Sequence, residues 1–275
     1  MSGKWFKLTA RLRDREGFLL WISGEDVRGL WEVDGETVVV YALHPFSPPP
    51  PELVRDWTQE EEGERDWEDE WRKGFGTVWV AEDVSVRPPW ESETHAPFDL
   101  VIYPAFAFGT GHHPTTLWCL RMIRKYLKEG MAFLDVGTGS GILTFLAWKM
   151  KAHPLWAIDC DPLAIEEFRR NAFLNGVPLE EVHLLLGGIS AARGRFDCIV
   201  ANVSVHFHLT HLKDLVDLLG EGGHLILSGI ESRDFPSLSK RAALYGLSFL
   251  EMHEEAFWVT VVYFKRVCYD NDKAR

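Results

Sequence analysis

Three glycines at alternate positions, Gly137, Gly139 and Gly141, follow the apolar run Phe133-Leu134-Asp135-Val136. Such a stretch reads as strand, tight loop and helix. Backbone that passes directly beneath a bound nucleoside needs permissive dihedrals and no side chain, and only glycine supplies both. The dinucleotide fingerprint sets its last two glycines three apart, whereas here they alternate and Ile142 stands at the third dehydrogenase position. The spacing therefore favours S-adenosylmethionine over NAD. Asp159 ends the next apolar run about twenty residues after this cradle, where an acid is placed to accept both hydroxyls of a ribose. Capping of the following helix suits Asp161, just before Pro162, better. Asn202 ends a later apolar run over residues 196–201, and at the carboxyl end of a parallel strand its amide would face the reacting groups.

A second loop, residues 106–116, precedes the cradle and reads FAFGTGHHPTT. Pro114 suits the first turn of a helix running to about Leu127, so this loop brings backbone amides and the hydroxyls of Thr115 and Thr116 to a helix N-terminus. Such an end favours an anion, and the carboxylate of the cofactor's methionyl part is the natural partner. No metal site is expected. His112 and His113 are adjacent in one loop and would not converge on one ion, and His206, His208 and His211 lack a carboxylate or cysteine at ligand spacing.

The elements that must position these residues alternate as in a parallel α/β sheet. Strands are expected at residues 133–136, 155–159, 182–186, 196–201 and 225–227, with helices at 114–127, 141–151, 163–175 and 233–245 and one carrying the histidines after Asn202. Residues 247–252 and 258–264 read as an antiparallel hairpin, and two short strands, 78–81 and 100–103, precede the glycine-rich loops. The start of the chain is a separate small α+β module: a strand at 5–12, a helix around 17–22, and a hairpin of 29–33 with 37–43 about Asp34-Gly35. Pro48, Pro49, Pro50 and Pro51 form a semi-rigid spacer that ends this module. Beyond it, residues 56–73 read as an acidic linker helix with Trp67 and Trp71 on one face. The expected organisation is an N-terminal domain over 1–52, a linker and acidic helix over 53–75, and a cofactor-binding domain over 76–275.

With 275 residues, 46% of them hydrophobic, the chain has ample apolar content for a folded core. The formal net charge of −12 argues against a direct nucleic-acid surface and suits a basic protein partner. The widely separated cysteines suit a reduced cytoplasmic protein. No run has the length of a signal peptide's apolar core or a membrane span, so neither secretion nor membrane insertion is expected.

Four motifs together, AFGTGHHPTT at 107–116, LDVGTGSGIL at 134–143, AIDCDP at 157–162 and VANV at 200–203, resemble the bacterial methyltransferases that modify large-subunit ribosomal protein L11. RGLWEVDG at 28–35 and DWEDEWRK at 66–73 extend the resemblance over most of the chain. It implies a Rossmann-like class I methyltransferase domain behind a small ferredoxin-like α+β domain that recognises the substrate. Thr116, Gly137, Asp159 and Asn202 fall on the family's cofactor-contacting positions, and Gly139 lies in the same cradle. The implied activity is S-adenosylmethionine-dependent N-methylation of lysine side chains and the terminal amine of a ribosomal protein, by a cytoplasmic monomer. Two departures bear on the substrate. Tyr103-Pro104-Ala105 stands where the family usually has an acid, a proline and a glycine, and Val203-Ser204-Val205 replaces more apolar residues.

No residue has the character of a dedicated base, so catalysis is expected from positioning and desolvation. Asn202 is the catalytic candidate, accepting from the amine, and Phe106, Phe108 or Phe207 would form walls. Two alternatives remain: a class I methyltransferase acting on another protein or a small molecule, and a catalytically silent module that binds the cofactor or a protein.

Overall fold

The computed structural model describes residues 5–25, 27–33, 36–62, 75–104 and 113–266. The chain divides into two units, residues 1–74 and 75–275.

In the first unit, β1 (Trp5–Leu12), α1 (Arg15–Ile22), β2 (Val27–Glu32), β3 (Thr37–Ala42) and β4 (Val54–Glu62) form a sheet in the order β2-β3-β1-β4. β1 pairs antiparallel with both β3 and β4. β2 and β3 pair antiparallel as the expected hairpin, while its turn dipeptide Asp34-Gly35 lies outside the described residues. Leu8, Ala10, Phe18, Val38, Val40 and Val54 make the core of this unit. α1 begins at Asp14, whose side chain accepts from Gly17 N.

β4 corrects the expectation of a helix from residue 56. Residues 54–62 are a strand, and residues 63–73, with Trp67 and Trp71, lie outside the described residues. The strand carries no apolar alternation because its side chains from Arg55 to Glu61 are exposed. It is held instead by backbone pairing, with Trp57 opposite Ala10 and Thr58 opposite Thr9. It is an outermost strand of this sheet among the described residues, and its carboxylates disfavour further pairing there. The boundary expected at residue 52 moves accordingly, because β4 belongs to the first sheet. The proline run connects β3 to β4 within that unit and is not a spacer between domains.

The second unit opens with a three-stranded sheet, β5 (Val78–Ala81), β6 (Val84–Arg87) and β7 (Phe98–Val101), in which β6 was not anticipated and β7 starts earlier than expected. α2 (Pro114–Tyr126) follows. The main sheet contains β8 (Phe133–Val136), β9 (Leu155–Asp159), β10 (Val182–Leu186), β11 (Phe196–Asn202), β12 (Leu219–Glu231), β13 (Leu247–Glu255) and β14 (Trp258–Lys265). Its order is β10-β9-β8-β11-β12-β14-β13. The first five in that order are parallel neighbours, and β14 runs antiparallel to both β12 and β13.

The intervening helices are α3 (Ile142–Lys149), α4 (Pro162–Asn175), α5 (Val205–Leu218) and α6 (Phe235–Leu244). Apolar side chains pack on both faces of the sheet: Phe145 and Phe168 belong to one core, Leu212 and Leu238 to the other. Strand order reverses between β8 and β11. The carboxyl ends of β8, β9 and β11 therefore open on a crevice at the switch point of the sheet, which is where parallel α/β folds bind ligands. No helix among the described residues is long and apolar enough to cross a membrane.

Candidate active site

The loop after β8 has the geometry its glycines demand. Gly137 has φ +73, and a Cβ there would lie 2.3 Å from Val203 Cγ1; Gly141 has φ +86, and a Cβ there would lie 2.4 Å from Phe145 Cζ. Side chains are excluded at both by backbone conformation and by space. Gly137 N and Thr138 N both donate to Ile158 O, at 2.9 and 3.0 Å, which fastens the loop to the end of β9.

Beneath the loop lies Asp135, fully buried. Its Oδ2 accepts from Thr138 Oγ1 at 2.8 Å and from Thr144 Oγ1 at 2.7 Å. Burial pushes its pKa up to about 6 against the pull of those hydroxyls, and the charge of Asp159 adds to the rise. Asp159 organises the rim. Its Oδ2 accepts from Gly139 N at 2.9 Å and its Oδ1 from Asp161 N at 3.0 Å. Each carboxylate oxygen keeps acceptor capacity for a ribose hydroxyl. Asp161 caps α4 by accepting from Leu163 N.

On the opposite wall, Thr116 in the first turn of α2 is 1% exposed, and its Oγ1 accepts from Asn202 Nδ2 at 3.4 Å. Asn202 Oδ1 is buried with no hydrogen-bond partner among the described residues. Val203 sits between two glycines: it covers Gly137 on one side, and on the other a Cβ at Gly229, φ +77, would lie 2.4 Å from Val203 O. Ser204 caps α5 by accepting from Phe207 N. The departures at Val203 and Ser204 thus have defined packing and capping roles.

These residues enclose a cavity of about 650 Å³, and Thr116, Gly137, Gly139, Asp159 and Asn202 all line it. Phe207, Glu231 and Trp258 line it as well. Phe106, Phe108 and His112 lie outside the described residues. His113 is the N-cap of α2, where its Nδ1 is 2.7 Å from Thr115 Oγ1, and its ring meets Trp258 edge-on. His208 is fully buried with Nε2 at 2.8 Å from Ser228 O, and burial lowers its pKa to about 4. His211 pairs instead with Asp214. Gly229, Trp258 and the long β12 were not foreseen. Only the short apolar run of residues 225–227 signalled that strand, and nothing local marked what Gly229 would pack against.

The model of the ribosomal protein L11 methyltransferase family (PrmA) matches residues 31–266. The chain belongs to that family. A ribosomal protein L11 methyltransferase of Thermus thermophilus is 34% identical over 260 residues, covering 94% of this chain and 98% of that protein. One from Nitratiruptor is 37% identical over 205 residues, covering 74% and 71%. The crystal structure of a ribosomal protein L11 methylase from Lactobacillus delbrueckii subsp. bulgaricus superposes with TM-score 0.65 at 26% identity, covering 70% of this chain and all of that one. The chain is an S-adenosylmethionine-dependent methyltransferase. The cavity fits that cofactor, with the backbone of Gly137 and Gly139 in its lining and beside them an acid at the end of β9, whose carboxylate already holds Gly139 N. When bound, S-adenosylmethionine supplies an electrophilic methyl group on a sulfonium.

Proposed function

We propose that this methyltransferase N-methylates ribosomal protein L11 at lysine ε-amines and at its terminal amine, with Asn202 holding the attacking nitrogen. The observation that carries the reading is the buried Asn202 Oδ1, which lies in the cavity wall with no hydrogen-bond partner among the described residues. Neutralising a lysine of ordinary pKa near neutral pH costs roughly 4 kcal/mol. A largely apolar lining lowers that cost by disfavouring the ammonium, as does a neighbouring positive charge. The ammonium gives its proton to solvent on entry. Asn202 Oδ1 then accepts one N–H of the neutral amine and leaves the lone pair free for in-line attack. Thr116 fixes the amide plane through Nδ2, and Phe207 and Trp258 supply apolar walls.

Thr116, Gly137, Gly139, Asp159 and Asn202 would hold the cofactor, with Asp159 accepting from the ribose. The strand order β2-β3-β1-β4 of the N-terminal unit is that of a ferredoxin-like sheet, in keeping with a recognition domain for a folded substrate. The net charge of −12 suits a basic ribosomal protein more than RNA. A monomer working in the cytoplasm, where such proteins are made, completes the reading. Incubating purified large-subunit proteins with the enzyme and labelled S-adenosylmethionine tests it: label should enter L11 on lysine and the terminal amine. Label confined to another protein, or to oxygen or carbon, would refute it.

A further inference from the structure

Two asparagines on α4, one helical turn apart, pair with backbone in place of a strand. Asn175 Oδ1 accepts from Val101 N at 2.9 Å, and Asn175 Nδ2 donates to Val101 O at 2.6 Å and to Asn171 O at 2.8 Å. Asn171 is fully buried and reaches in two directions. Its Oδ1 accepts from Tyr103 N at 3.0 Å and its Nδ2 donates to Ser140 O at 3.0 Å. Ser140 stands inside the glycine cradle, between Gly139 and Gly141. Tyr103 stands just past β7, two residues before the stretch that leads to α2.

We propose that Asn171 is a positioning residue for the cofactor, locking the cradle at Ser140 to the segment Val101–Tyr103 although it does not itself line the cavity. The position requires one donor and one acceptor on a short planar group in a dry place. Aspartate lacks the donor, glutamine is too long, and an apolar residue would leave two buried backbone groups unpaired. The far end of the bridge is itself fixed. The Arg170 guanidinium lies 4.3 Å from the centroid of the Tyr103 ring, and Trp90 meets that ring edge-on at 5.9 Å. Tyr103 thus holds a cation by its ring face where the family usually has an acid. The cradle end governs the loop: Ser140 Oγ accepts from Ile142 N, the first residue of α3, and the left-handed Gly141 follows Ser140 directly.

The inference rests on the cofactor cradle and not on the identity of the substrate, so it stands or falls apart from L11 methylation. The test is calorimetric titration of the full chain with S-adenosylhomocysteine across pH, for wild type, Asn171→Asp and Asn175→Asp. In Asn171→Asp the introduced side chain, when ionised, faces Ser140 O without a donor; as a neutral acid it donates there again and still accepts from Tyr103 N. Affinity in Asn171→Asp should be about tenfold weaker than wild type at alkaline pH and should recover on acidification. Asp135 and Asp159 are common to both proteins, so the difference between the two profiles isolates the new carboxyl. Asn175→Asp loses the donor to Val101 O and to Asn171 O but leaves the Asn171 side chain and its bond to the cradle in place; it should lower Tm yet keep wild-type affinity. Hydrogen exchange of the wild-type chain gives a reading independent of the variants' folding, since the Tyr103 amide should slow on ligand binding. Wild-type affinity in Asn171→Asp at every pH, equal weakening in Asn175→Asp, or an unchanged Tyr103 amide would each overturn the proposal.

Discussion

Asn202 and Thr116, 86 positions apart in sequence, meet in the wall of the cavity, Asn202 Nδ2 donating to Thr116 Oγ1 at 3.4 Å while the amide oxygen has no partner among the described residues. The end of β11 and the first turn of α2 thereby set one amide plane between them. Thr116→Val keeps the shape of the side chain and removes the acceptor. We expect turnover to fall several-fold with little change in Tm, because the bond is long and contributes only about 1 kcal/mol. Steady-state rates and a melting curve check this; unchanged turnover would mean Thr116 does not orient Asn202.

Asp159 holds two backbone amides before it meets any ligand. Asp159→Ala should weaken cofactor binding by roughly 1.5 to 3 kcal/mol, the range for hydrogen bonds to a charged group. It should also lower the Tm of the ligand-free protein by releasing Gly139. Calorimetry and thermal melts read the two effects separately. Cofactor affinity equal to wild type would remove Asp159 from the ribose site.

Asp135 makes stability depend on pH. Its folded pKa is about 6 against an ordinary 3.8, so the native chain binds the proton more tightly than the unfolded one. Its contribution is most favourable below the unfolded value and is lost as pH rises through about 6. Above that, the buried carboxylate costs roughly 3 kcal/mol. Asp135→Asn removes this titration. The Tm of the variant relative to wild type should be higher above the shifted pKa than below it, and a pH-independent difference would contradict the assignment.

The cradle, Asp159, Asn202 and the helix at Pro114 were legible because each is a local signal: glycine spacing, an acid or amide ending an apolar run, a proline at a helix start. β4 was not. Its side chains are exposed, so it lacks the alternation of a half-buried strand, and only the partner β1 reveals it. Asn171 and Gly229 escaped for a related reason, since their meaning lies in contacts with Ser140, Tyr103 and Val203 that no spacing announces.

β4 also redraws the truncation that separates recognition from chemistry. Removing residues 1–52 would strip β4 of its partner and leave an unpaired strand. Residues 75–275 alone should fold, bind S-adenosylmethionine, and lose methylation of intact L11. Cofactor titration and labelled-methyl transfer read these outcomes; methylation of L11 at the native rate would refute the recognition role.

Single-turnover methyl transfer to L11 at saturating cofactor, followed from neutral to alkaline pH in wild type and Asn202→Ala, tests the central claim most directly. An acceptor that places the amine acts mainly in the transition state, so the variant should lose far more in rate than in cofactor affinity. Alkali should recover little of that loss, because the missing element is placement and not deprotonation. A variant as fast as wild type, or one fully restored by raising the pH, would contradict the account.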